Sequence, residues 1–135
     1  MVNQTLLIVN DDKDQLSLFK DYLGFTNPEY SIRTAQGPIQ AAKLASALKP
    51  AVALIDRNLR EGNGTGLNLA MHLKRMHNTN CILTSSQYLR LDHQKDEDLK
   101  LTSAKAAFVT PIKNYDTLVN TIEKLMGESS RRKAQ

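Results

Sequence analysis

The sequence predicts a three-layer α/β sandwich, with helices on both faces of a parallel five-stranded sheet. Three observations lead there. Short apolar runs alternate with stretches of helical spacing along the chain. Most of those runs are unbroken, as strands buried on both faces require. Right-handed crossovers between parallel strands then divide the helices between the two sides. The 135 residues suit one domain, and 41% hydrophobic with 24% charged residues is a globular rather than a disordered composition.

In chain order, Leu6-Leu7-Ile8-Val9 reads as the first strand. A helical stripe of Leu16, Phe19, Tyr22 and Leu23 follows, with Gly24 as its stop. Tyr30-Ser31-Ile32-Arg33-Thr34 alternates apolar and polar, the pattern of an edge or half-exposed strand. Gly37-Pro38 opens a second helix, with Pro at a tolerated first-turn position. Ile39, Ala42, Ala45 and Leu48 form its apolar side, and Pro50 ends it. Ala51–Ile55 is the third strand, and Leu67, Ala70, Met71 and Met76 mark the helix after it. Cys81–Leu83 is the fourth strand, a helix over about Gln94 to Ser103 comes next, and Ala106–Val109 is the fifth strand. The last helix carries Tyr115, Leu118, Val119, Ile122, Leu125 and Met126, with Asn114 as N-cap and Gly127 as stop. Residues 1–127 are thus the domain, and 128–135 a basic tail or the start of a linker.

Several function classes fall away on composition. The single cysteine, Cys81, excludes an internal disulfide, and its place in a strand makes it a core residue. The first apolar run is too short for a signal peptide or a membrane span, so the expected location is the cytoplasm, with no membrane partner. With no Trp and only seven Phe and Tyr, an aromatic platform for single-stranded nucleic acid is not expected. Of the net charge of +4, the last eight residues contribute +2, so residues 1–127 are close to neutral and no nucleic-acid contact is expected through them. His72, His77 and His93 lack companions at metal-ligand spacing and read as surface residues. Asn63-Gly64 reads as a tight turn, and Asp92 to Lys100 as a solvated helix face.

Ligands of open parallel sheets bind beyond the carboxyl ends of the strands. Asn10, Asp11 and Asp12 follow the first strand, and Asp56, Arg57 and Asn58 end the third. Thr84, Ser85 and Ser86 end the fourth, and Thr110 and Pro111 the fifth. Asp11 and Asp56 fall on neighbouring strand ends, where converging carboxylates repel unless a cation joins them. Mg²⁺ suits such hard oxygens, taking one or two carboxylates plus phosphate oxygens and water. Phosphoryl transfer to a carboxylate is the chemistry that follows, with a hydroxyl at Thr84 or Ser85 to receive a phosphoryl oxygen. Asp11 and Asp12 have a plainer role open to them as caps of the first helix. A flavin or dinucleotide fold needs a Gly-rich or hydroxyl-rich turn after the first strand, and Asn10-Asp11-Asp12-Lys13-Asp14 is neither. A metal-dependent hydrolase is the weaker rival, for want of a separate general acid or a cap domain.

These residues together resemble the receiver domain of two-component response regulators. The resemblance rests on Leu-Leu-Ile-Val-Asn-Asp-Asp at 6–12, Leu-Ile-Asp-Arg-Asn-Leu at 54–59, Gly66-Leu67, Ile-Leu-Thr-Ser-Ser at 82–86, and Pro111. It covers residues 5–127 and implies a flavodoxin-like (βα)5 fold with strand order 2-1-3-4-5. It also implies that Asp56 is the phosphoacceptor and that Asp11 binds Mg²⁺ directly. Asn10 or Asp12 would stand at a water-mediated position, the Asn58 carbonyl would complete the metal ligands, and Ser85, or Thr84, would be the switch hydroxyl. The implied partners are a histidine kinase or phosphotransfer protein and an unidentified downstream protein. A weak homodimer through the last two helices is a further implication. Slow autodephosphorylation would be its only enzymatic activity.

The sequence departs from the receiver pattern at three places. Thr110 stands where receivers carry Lys before the Pro, and neither Lys105 nor Lys113 is at that position. Ala107 stands at the usual aromatic position, one residue before Phe108. The segment from Asp56 to Gly66 is two residues longer than usual, with Arg60 in place of a common Pro. The alternative function is therefore a phosphorylation-independent pseudo-receiver, a protein–protein interaction module.

Overall fold

The computed structural model describes residues 4–56, 59, 65–84, 107–109 and 115–134. The strands are β1 (Thr5–Val9), β2 (Ser31–Ala35), β3 (Val52–Asp56), β4 (Asn80–Thr84) and β5 (Ala107–Val109). The helices are α1 (Lys13–Thr26), α2 (Pro38–Leu48), α3 (Thr65–His77) and α4 (Tyr115–Ala134). The helix expected over Gln94 to Ser103 and the Asn114 cap lie outside the described residues.

All strand pairs are parallel, and the sheet order is β2-β1-β3-β4-β5. The architecture is the flavodoxin-like α/β sandwich. The order follows from where apolar surface is needed: β1, β3 and β4 are buried along almost their whole length, whereas β2 alternates and takes an edge. Because side chains alternate across a strand, the sheet feeds two separate cores. Leu7, Val9, Ala53, Ile55, Cys81 and Leu83 face α2 and α3, meeting Ala41, Ala45, Leu67, Ala70 and Leu73. Leu6, Ile8, Val52, Leu54 and Ile82 face α1 and α4, meeting Leu16, Phe19, Leu23, Leu118, Ile122 and Leu125.

Four local expectations are corrected. Gly24 does not stop α1, which runs on to Thr26 and ends at Asn27, whose N–H bonds to the Leu23 carbonyl at 2.8 Å. A glycine inside a helix weakens it without breaking the hydrogen-bond ladder. Gly127 likewise does not stop α4, which continues to Ala134. In α2 the inward residues are Ala41 and Ala45, while Ile39 is 70% exposed and Leu48 and Ala42 are not buried. In α3, Leu67, Leu69, Ala70 and Leu73 are buried while Met71 and Met76 are exposed. The helical period was right in both, and Ala45, Leu67 and Ala70 are buried as expected, but the inward arc is turned toward Ala41 in α2 and toward Leu69 and Leu73 in α3. Among the described residues, no helix is long and apolar enough to cross a membrane.

Candidate functional site at the carboxyl ends of the strands

The register sets the site. Val9 is paired with Ala35 on one side and Ile55 on the other, so Asn10 comes level with Asp56. Asp56 is in turn paired with Thr84. Asp11 and Asp56 therefore stand at the carboxyl ends of adjacent strands, as the sequence predicts. Both are partly exposed, while Asn10 and Thr84 are buried.

The turn after β1 is held by its own side chains. The Asn10 N–H donates to the Ala35 carbonyl at 3.1 Å, closing the end of the β1–β2 ladder. Asn10 Nδ2 donates to Gln15 Oε1 at 2.9 Å, and Asn10 Oδ1 accepts the Asp12 N–H at 2.9 Å. Asp12 is the N-cap of α1, and its Oδ1 accepts the N–H groups of Asp14 at 2.9 Å and Gln15 at 3.3 Å. The capping role open to Asp12 is thus the one it fills, satisfying two of the orphan donors at the helix start. Asp11 lies between Asn10 and Asp12 in the same turn and is partly exposed. Together with Asp12, Lys13, Asp14 and Gln36 it lines an open cleft of about 610 Å³.

The donor set fits a hard divalent cation in a restricted way. Among the described residues, no three His, Cys, Asp or Glu side chains converge closely enough to hold a metal by themselves. Asp12 is occupied with the helix start, and the Asn10 carboxamide with Gln15 and Asp12. Asp11 and Asp56 stand on neighbouring strand ends, and two carboxylates suffice for Mg²⁺, which keeps several waters. Asn58, Ser85 and Thr110 lie outside the described residues. Thr84 is described: its hydroxyl lies within the sheet, donating to the Ile55 carbonyl at 3.5 Å.

Two polar residues at this rim had no signal in the sequence. Gln15 orients Asn10 across five positions, a spacing that belongs to no capping motif. Gln36 reaches the cleft because β2 pairs beside β1, and its N–H is accepted by Gln40 Oε1 at 3.1 Å at the start of α2. Cys81 is a core residue, as expected, and burial pushes its thiol up to about 12. The rings of His72 and His77 meet edge to face at 6.5 Å, on the far side of the sheet from α1.

Solved structures share this arrangement almost over its full length. A CheY-like response regulator receiver domain protein from Methanospirillum hungatei matches with a TM-score of 0.78 at 21% identity, over 96% of this chain and 98% of that one. The signal receiver domain of a LuxO repressor protein from Vibrio parahaemolyticus matches with a TM-score of 0.81 at 17% identity, over 98% and 97%. This chain has the receiver-domain fold. The response regulator TrrA of Thermotoga maritima, solved in complex with Mg²⁺ and BeF, has the same fold with a TM-score of 0.72 at 20% identity, over 90% and 98%. No protein-family model and no curated protein matches the sequence. In the receiver fold the rim just described, with Asp11 and Asp56 on adjacent strands, is the crevice at which open parallel sheets bind ligands.

Proposed function

We propose that the protein is a phosphoacceptor of a two-component phosphorelay, taking a phosphoryl group on Asp56. The observation that carries the reading is the register that sets Asp56 level with the turn bearing Asp11, beside Thr84 of β4. The receiver fold, and the Mg²⁺ and BeF bound by the Thermotoga maritima regulator, support it.

In this reading Asp11 and Asp56 hold Mg²⁺, with the Asn58 carbonyl, and Asn10 shapes the turn that presents Asp11. When bound, the metal offsets the charge of the carboxylates and of the incoming phosphoryl oxygens. A carboxylate oxygen of Asp56 attacks phosphorus, forming a new O–P bond. The bond from phosphorus to the donor breaks, and the donor leaves with the electron pair: a histidine nitrogen of a kinase or phosphotransfer protein, or acetate from acetyl phosphate. Ser85 is the hydroxyl proposed to meet a phosphoryl oxygen, since that of Thr84 already bonds to the β3 backbone. The phosphorylated rim then alters binding to a downstream protein.

A second reading has its own observation. Thr110 replaces the Lys of the receiver pattern, and Asp12 serves as a helix cap. A rim with fewer charged groups for a phosphoryl oxygen suits a pseudo-receiver that binds partners without being phosphorylated. Intact-mass spectrometry with acetyl phosphate and Mg²⁺ separates the two. One phosphoryl adduct, absent from Asp56→Asn and from the metal-free control, is the expected result. No adduct under conditions that label an active receiver would establish the second reading.

A further inference from the structure

The last turn of α3 carries metal-ligating atoms that neither the core nor the strand-end rim uses. Leu69, Ala70 and Leu73 turn inward to the sheet. His72 and His77 are partly exposed, and Met76 is 58% exposed. His72 and Met76 stand four residues apart and so share one face of the helix. His77 is the last residue of α3, and its ring meets that of His72 with 6.5 Å between centroids. Two imidazoles joined by one metal ion have ring centres about 6 Å apart, given metal–nitrogen bonds of about 2 Å. A small rotation of partly exposed side chains closes that difference.

The setting favours a cation of one kind. The helix ends here, with Asn78 left-handed at a φ of 56° and its N–H bonded to the Lys74 carbonyl at 3.0 Å. The carbonyls of a last turn form the negative pole of a helix. Among the described residues, no group of three His, Cys, Asp or Glu could hold a metal, so the donor set that Zn²⁺ takes is not completed here. The third donor on this face is a thioether, and thioether with imidazole is a set that selects Cu(I). Lys74 and Arg75 oppose a monovalent ion less than a divalent one. Lys74 is also drawn toward β4, where its Nζ donates to Asn80 Oδ1 at 3.1 Å.

We propose that the last turn of α3 binds one Cu(I) ion through a ring nitrogen of each of His72 and His77 and through Met76 Sδ. The site is separate from the phosphoacceptor rim. His77 is twelve residues beyond Thr65, about 18 Å along the helix, and three residues before β4 begins at the opposite end of the sheet from Asp56. The ion binds and leaves as Cu(I), with no electron transfer, so the site goes beyond the phosphorelay reading and does not depend on it.

The test uses the full chain without an affinity tag, ¹⁵N-labelled and kept anaerobic with ascorbate. Cu(I) is titrated in competition with a chromogenic chelator while NMR follows the ring nitrogens and methionine methyls. One Cu(I) per chain is expected, shifting the rings of His72 and His77 and the methyl of Met76. His72→Gln and His77→Gln each weaken Cu(I) about a hundredfold, and Met76→Leu about tenfold. Met76→Leu leaves the weaker Ni²⁺ binding of the histidine pair unchanged, which a merely structural role of Met76 would not produce. Asp56→Asn leaves Cu(I) binding unchanged, which separates a failure here from a failure of the phosphoacceptor reading. An unchanged melting temperature without metal verifies that each variant is folded. In the native chain, the absence of a saturable shift at the two rings overturns the proposal without any variant. So does Cu(I) binding that Met76→Leu leaves undiminished, or that Cys81→Ala abolishes, which would place the ion on the thiol. Zn²⁺ displacing Cu(I) at equal concentration overturns it as well.

Discussion

Asp12 and Asp56 are both acidic residues beside a strand end, yet their surroundings give them different work. The carboxylate of Asp12 accepts two backbone N–H groups at the start of α1. Asp12→Ala is expected to cost about 1 kcal/mol, read as a lower urea midpoint at unchanged slope. Asp56 ends a buried strand and is the residue whose change to Asn should abolish phosphoryl labelling while the fold persists. Cys81 is buried with its thiol raised to about 12 and its Sγ 3.5 Å from the Ala70 carbonyl. Native protein at pH 8 should therefore resist iodoacetamide, and label fully only once urea unfolds it. For Tyr30, burial first, and then the carboxylates of Glu123 and Glu29, push the phenol up to about 12. The fold thus favours the neutral phenol. Its contribution to stability is complete below pH 10 and is lost as pH rises through about 12. Phenolate absorbance should show a late phase that Tyr30→Phe removes.

At the scale of elements, period and phase have different origins. A repeat of apolar residues every three to four positions signals a helix, and all four described helices were legible in that way. Which residues turn inward depends on how closely the helix can approach the sheet. Ala41 and Ala45 let α2 sit low, so Ile39 and Leu48 stay out, which the sequence alone placed inside. Helix ends were misread as well: Gly24 and Gly127 look like stops, but the hydrogen-bond ladder of each helix runs on past its glycine. This leads to a stability prediction. A Cβ at Gly24 would meet only Ile32 Cδ1, at the ordinary contact distance of 3.7 Å, and one at Gly127 would meet nothing within 4 Å. Gly24→Ala and Gly127→Ala should each stabilise the protein by roughly 0.5–1 kcal/mol, measured by urea unfolding.

Across the whole molecule, the two cores share one sheet, so its central strands belong to both. Leu6, Leu7, Ile8 and Val9 of β1 are divided between them, as are the residues of β3. Native-state hydrogen exchange should be slowest in β1 and β3 and faster in the edge strand β2, whose Ser31 and Arg33 are exposed. Leu54 is fully buried between β3 and the helices α1 and α4, and Leu54→Ala should cost about 2–5 kcal/mol. Equal exchange rates across the sheet would show that the edge is held by contacts other than these cores.

The sequence by itself determined the class of fold, the alternation of its elements and the strand ends at which Asp11 and Asp56 stand. Local pattern suffices for these, because a strand buried on both faces must be continuously apolar and a side chain after its last residue must emerge at the rim. Register, helix phase and the use of each polar group were decided by the tertiary structure alone. Whether Asp12 caps a helix or faces a ligand, and whether Gln15 and Gln36 reach the rim, depends on which backbones lie beside them. The exposed row of Leu18, Tyr22 and Phe25 belongs to the same category. Tyr22 had the spacing of an inward residue, and only the packing of Leu16, Phe19 and Leu23 against the sheet turned it outward. A helix has one face for its core, and its sequence period does not say which of two apolar rows will occupy it.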